Sequence, residues 1–174
     1  MRIALVAQHA TPLTTGNTAD RGQADGSRLR ELSRSLASNG HRVTVYAQRH
    51  GSTPERTELE PGVTVEYIGP ADGRADDFAE ADLLRQVPEF SRPLHERWRA
   101  ERPDVVHAVR WTSGLAALAA ARDLRIPVVQ TFDSLGVAER RHHVMARSAG
   151  VERIRLEPAI GRSASAVVAG SSDE

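Results

Sequence analysis

Short, almost uninterrupted apolar runs, set between stretches of helical periodicity, constrain this 174-residue chain more than any other feature. The runs are "IALVA" (Ile3 to Ala7), "RVTVYA" (Arg42 to Ala47), "VTVEYI" (Val63 to Ile68), "PDVVHAV" (Pro103 to Val109), "PVVQTF" (Pro127 to Phe132) and "SAVVAG" (Ser165 to Gly170). A strand with one wet face alternates apolar and polar residues, whereas a continuous β-branched run has both faces covered. Between the runs, Leu29, Leu32 and Leu36 recur at helical spacing, with Asp25 or Ser27 as a start and Gly40 as a stop. A second helical stretch lies near Phe78 to Glu101, where Pro88 and Pro93 are expected to break it into pieces. "SGLAALAAARDL" (Ser113 to Leu124) reads as a third helix, and Glu152 to Arg162 as a fourth that Pro158 should distort. "GSTPERTELEPG" reads as a surface loop. Strands alternating with helices predict an α/β fold, one doubly wound parallel sheet covered on both faces. The length suits one domain of about 100–200 residues.

Composition removes several function classes. The 23 basic and 23 acidic residues cancel with no long block of either sign, so a general nucleic-acid or anionic-membrane surface is not expected. All the basic side chains are Arg, which excludes lysine Schiff-base or general-base chemistry and leaves any cationic phosphate contact to guanidinium groups. With no cysteine there is no disulfide, thiolate nucleophile or cysteine zinc site. "IALVA" is too short for a secretory h-region, and no run approaches the ~18 apolar residues of a membrane span. The expectation is a soluble, cytoplasmic protein.

Ligands of doubly wound folds sit at the carboxyl ends of the strands, which draws attention to four places. The first is the long polar stretch from His9 to Gly26, where most strand-to-helix loops need only ~2–6 residues. Its "ADRGQADG" can offer backbone amides to a phosphate at a helix start, or can be an ordinary turn and cap. It is neither G-x-G-x-x-G nor G-x-x-x-x-G-K-[ST], so neither a dinucleotide fingerprint nor a P-loop is present. The second is "DVVHAVRWTSG", with His107 either a core histidine or a site residue, and Arg110 just beyond. The third is Asp133 in "QTFDSLG", placed to bind a sugar hydroxyl, act as a base or cap a turn. The fourth is the basic group Arg140, Arg141, His142, His143 and Arg153, an anion site or a solvated loop. Adjacent histidines do not face one way on a helix, so no metal site is expected there.

Taken in order, these segments resemble the N-terminal half of family 4 glycosyltransferases of the GT-B fold. The likeness is carried by "QHATPL", the glycine stretch into "LRELSRSLASNGHRVTVYAQR", "PDVVHAVRWTSGLAALAAA", "IPVVQTFDSLGVAERRH" and "ERIRLEPAIGRSASAVVAGSSDE". It runs from Met1 to Glu174 and extends to enzymes similar to the mycothiol-pathway inositol-phosphate N-acetylglucosaminyltransferase and to sucrose-phosphate synthases. The resemblance implies a Rossmann-like domain forming one half of a two-domain architecture, with the donor-binding C-terminal domain lying beyond "GSSDE". It implies retaining transfer of a sugar from a nucleotide-sugar donor to a small-molecule acceptor, without a metal or other cofactor. By the same analogy, Gly22 and Gly26 would approach the donor diphosphate and Asp25 the acceptor. His9, His107, Arg110, Arg140 and Arg141 would line the donor and acceptor sites, and Arg153 would match a phosphate-acceptor contact. The chain departs from the family pattern in its split glycines, in Val109 for the second histidine of H-x-H, and in Asp133 for a histidine after the next strand. Glu80 falls near a position where the family commonly has a lysine. Asp133 is therefore the expected catalytic residue. The alternative reading is a degenerate Rossmann-like domain kept for binding or for a partner protein. A domain of this kind alone is expected to lack half the catalytic constellation.

Overall fold

The computed structural model describes residues 1–8, 21–49, 53–69, 80–132, 134–137 and 151–169, with the backbone only for 21–25 and 80–83. Its strands are β1 (Arg2–Val6), β2 (Arg42–Gln48), β3 (Arg56–Glu60), β4 (Val63–Ile68), β5 (Val105–Val109), β6 (Val128–Thr131) and β7 (Ala166–Val168). Its helices are α1 (Arg21–Ser38), α2 (Glu80–Ala100), α3 (Trp111–Ala121) and α4 (Val151–Ser163). The strands form one sheet in the order β3-β4-β2-β1-β5-β6-β7. All pairs are parallel except β3 with β4.

The two faces follow from the period of two along each strand. Ile3, Leu5, Val43, Val45, Val63 and Val65 turn to one face, where Leu29, Leu32 and Leu36 of α1 cover them. Ala4, Val6, Val106, Ala108 and Val128 turn to the other, under Phe90, Leu94 and Trp98 of α2 and the alanines of α3. Trp98 packs edge-on against Tyr46, with ring centroids 6.1 Å apart and planes at 77°. The alanines of α3 let its backbone lie close to the sheet, and His95 Nδ1 meets Ala120 O at 2.9 Å to tie α2 to α3. Gly40 ends α1 with φ +80°, and the bonds Gly40 N–H to Ala37 O and His41 N–H to Leu36 O complete a left-handed cap.

Several expectations are corrected. α1 begins at Arg21, not at Asp25 or Ser27. The expected glycine loop is thus partly helix, with Gly26 buried in it. An internal glycine costs about 1 kcal/mol of helix propensity, less than the packing of the leucine face returns. Pro88 and Pro93 do not break α2, and Pro158 does not interrupt α4. In α2 each proline forfeits one hydrogen bond on an exposed or half-exposed turn, while Phe90, Leu94 and Trp98 stay buried on the other face. "GSTPERTELEPG" contains the antiparallel edge strand β3, irregular between Glu58 and Glu60, which no apolar run announces. Arg56 of β3 and Arg97 of α2 both pair with the buried Glu66 of β4, at 3.5 and 2.6 Å, so one carboxylate ties β3 and α2 to the same strand.

Candidate functional site

The carboxyl ends of β1, β5 and β6 lie side by side at the middle of the sheet, and buried polar side chains gather there. Gln8 follows β1 and is 1% exposed. Its N–H donates to Ser113 Oγ of α3 at 3.0 Å, and its carbonyl accepts from Gln48 N–H at the end of β2, also at 3.0 Å. Thus β1, β2 and α3 are joined at one edge. β5 passes into α3 through Arg110 alone, whose backbone stands at φ 72° and ψ 158° with no side-chain cap on the helix. Arg110 N–H donates to Thr131 O at 2.8 Å, and Arg110 O accepts from Gln130 Nε2 at 3.1 Å.

His107 of β5 is half-buried, its Nε2 within 2.8 Å of Thr131 Oγ1. Burial lowers its pKa below the ordinary 6.5, which favours a neutral imidazole at pH 7. A neutral ring presents one donor and one acceptor, so His107 is suited to hydrogen bonding rather than to charge pairing.

Beyond β6 the chain is fastened to α4. Arg153 Nε donates to Glu157 Oε1 at 2.6 Å, and its Nη2 to Ser134 O at 2.6 Å and Ser134 Oγ at 3.1 Å. Glu157, 4% exposed, also accepts from Gly136 N–H at 2.9 Å. The guanidinium charge is therefore shared with a buried carboxylate one helical turn away. Beside this pair an apolar hollow of about 270 Å³ lies between α4 and β7, its walls including Phe132, Leu135, Ile154 and Val168.

Of the residues expected from sequence, His107, Arg110 and Arg153 stand at this edge. Gly22 is the second residue of α1, among the first-turn amides that a helix leaves unbonded. Gly26, as the sixth, has its amide inside the helical ladder, which corrects the expectation that it approaches a ligand from a loop. Asp25 is likewise within α1. His9, Asp133, Arg140 and Arg141 lie outside the described residues. Gln8, Ser113, Gln130 and Glu157 were not singled out by sequence reasoning. A glutamine in the buried run "PVVQTF" and the Arg153–Glu157 spacing of four were the available signals. Among the described residues, no three His, Cys, Asp or Glu side chains gather as a metal site, and no helix is long and apolar enough to cross a membrane.

The geometry can be placed among known proteins. The fold superposes on sucrose-phosphate synthase from Thermosynechococcus elongatus with a TM-score of 0.81 at 22% identity, over 95% of this chain and 41% of that one. MurG of Acinetobacter baumannii gives a TM-score of 0.55 at 15% identity, over 99% and 41% of the two chains. The sheet and its helices are a Rossmann-like domain of the GT-B glycosyltransferase architecture. Residues 26–174 match the family model Glycosyltransferase Family 4, and the chain belongs to that family. Curated relatives include the D-inositol 3-phosphate glycosyltransferase of Streptomyces bingchenggensis, 31% identical over 140 residues, covering 77% of this chain and 30% of the relative. That of Streptomyces scabiei is 28% identical over 182 residues, covering 99% of this chain and 39% of the relative. The chain thus spans well under half the length of either relative.

Proposed function

We propose that this chain is the N-terminal, acceptor-side half of a retaining glycosyltransferase that moves a sugar from a nucleotide-sugar donor to a small-molecule acceptor. The observation that carries the reading is the family match over residues 26–174 on a fold whose carboxyl edge gathers His107, Arg110 and Arg153. A second, donor-binding domain closes the cleft over that edge. Asp133 comes two positions after the end of β6 in the sequence and, in the place of a family histidine, serves the reacting sugar as a hydrogen-bond acceptor or base. No metal is needed, since arginines and helix N-termini can stabilise the departing diphosphate.

The acceptor we propose is one without a phosphate group. Arg153, matched by resemblance to a phosphate contact, shares its charge with Glu157, and Glu80 stands near the family's lysine position. Both features lower the positive charge available to an anionic acceptor. The D-inositol 3-phosphate of the relatives' names is then not the preferred substrate here.

The test is an assay of the protein as its gene encodes it, with UDP-, ADP- and GDP-sugars and with myo-inositol and D-inositol 3-phosphate as acceptors. Transfer or slow donor hydrolysis supports the reading, and Asp133→Ala should lower turnover by about 10²–10⁴-fold. Failure to bind and failure to turn over every one of these nucleotide sugars refutes it. A preference for the phosphorylated inositol refutes the acceptor class while leaving the transferase reading intact.

A further inference from the structure

The join between β5 and α3 stands in a region of backbone space that belongs to glycine, yet it carries an arginine. At φ 72° and ψ 158°, the Cβ of Arg110 crowds its own backbone, and such a residue persists only where its surroundings over-determine it. The surroundings do so. Arg110 N–H is held by Thr131 O at 2.8 Å, and Arg110 O is held by Gly114 N–H at 3.0 Å and Gln130 Nε2 at 3.1 Å. The same Nε2 donates to Thr131 O at 2.7 Å. Both partners of Nε2 are carbonyls, so this end of the amide must be the NH2 group.

Gln130 is fully buried, and its Oε1 has no hydrogen-bond partner among the described residues. That oxygen lies against Gly114, where any added Cβ would overlap it and would also stand 3.0 Å from Ile160 Cγ2. The fold thus accepts an unsatisfied buried acceptor and a glycine inside α3 so that one side-chain amide can reach the β5–α3 join. Buried exceptions of this kind call for an explanation, and apolar packing alone supplies none. The adjacent Thr131 holds His107 of β5 through its hydroxyl, so the Gln130–Thr131 pair contacts both His107 and Arg110, the residue that follows β5.

We propose that Gln130 is a positioning residue: its side-chain amide holds Arg110 in a loaded backbone conformation and so fixes how Arg110 and the first turn of α3 meet the substrate cleft. The mechanics of this lock stand on the structure alone; its bearing on transfer rests on the glycosyltransferase reading above.

Two pairs of variants in the native protein test it. Arg110→Ala and Arg110→Gly both remove the side chain and differ only in the Cβ. Glycine usually lowers stability relative to alanine, but here Arg110→Gly should melt about 2–4 °C above Arg110→Ala. Gln130→Met keeps the volume and removes both donors. By hydrogen–deuterium exchange mass spectrometry, residues 108–116 should exchange at least about tenfold faster while β1 and β2 keep their protection. At a temperature where all variants are folded, turnover of the nucleotide sugar used by the native protein should fall about tenfold with Gln130→Met. The same change made on Arg110→Gly should cost much less, because no strain is left to be held. Arg110→Ala melting as high as Arg110→Gly refutes the loaded backbone. Unchanged exchange at 108–116 in Gln130→Met removes Gln130 as its holder. Faster exchange with unchanged turnover leaves a structural lock and overturns the positioning role. A native protein without transferase activity overturns that role together with the functional reading, while melting and exchange still decide the lock.

Discussion

Glu157→Ala examines the strongest charged contact at the site's edge. Glu157 is 4% exposed, and its carboxylate bonds Arg153 Nε at 2.6 Å and Gly136 N–H at 2.9 Å. Removing one partner of a buried pair costs about 3–5 kcal/mol, and an orphaned buried amide about 1–3 kcal/mol. The two do not add in full. Arg153 keeps its bonds to Ser134, and its side chain is already 13% exposed, so it regains some hydration by a small movement. The net expectation is about 3 kcal/mol, or roughly 6–12 °C of melting temperature for a unit of this size. Replacing both partners, as Arg153→Met with Glu157→Leu, removes the buried charges together and should recover most of the loss. Thermal and urea unfolding of the native protein, Arg153→Met, Glu157→Leu and the double variant, with Glu157→Ala measured beside them, give the coupling directly. A cost below about 1 kcal/mol for Glu157→Ala, or additivity in the double variant, would refute the argument that this ion pair fastens residues 134–136 to α4.

Further expectations concern the rest of the fold. His107 has a pKa lowered by burial from 6.5, so between its folded value and 6.5 the unfolded chain binds more protons. Stability therefore rises with pH through that window and is lost as pH falls; His107→Gln should flatten this limb in unfolding curves, and an unchanged pH profile would oppose it. Pro88 is exposed in α2 and denies a donor to the preceding turn, so Pro88→Ala should stabilise by about 1–3 kcal/mol in thermal melts. Trp98 is fully buried against Tyr46, and Trp98→Ala should cost about 3–5 kcal/mol. A loss under about 2 kcal/mol would mean that α2 is held to the sheet by something other than its apolar face.

What the sequence makes legible, and what it hides, divides along a physical line. β1, β2 and β4 declare themselves because most of their residues are buried, and β5 and β6 because buried residues alternate with half-buried ones, whereas the equally apolar run of β7 is exposed along its length. β3 does not declare itself, because an edge strand needs only one paired side and can be written "RTELE". The glycines of α1 and the prolines of α2 carry unfavourable local terms of about 1 and 3 kcal/mol, and apolar packing overrides them at a distance no sequence window spans. The site divides in the same way. His107 and Arg110 can be proposed as site residues because strand ends are where α/β sheets bind ligands, and Arg153, on α4, only through the basic group and the family resemblance. Their supports, Gln130, Gly114 and Glu157, read as an odd polar residue in a strand, a small residue in a helix and half of an i,i+4 pair. Only the contact between β6 and the start of α3 gives Gln130 and Gly114 a common purpose, because the side chain of one occupies the space the other leaves open. That contact joins residues brought together by the crossover itself. A strained join of this kind is therefore written in the sequence only as a local anomaly, an arginine where the backbone asks for glycine, and its meaning emerges with the neighbours that hold it there.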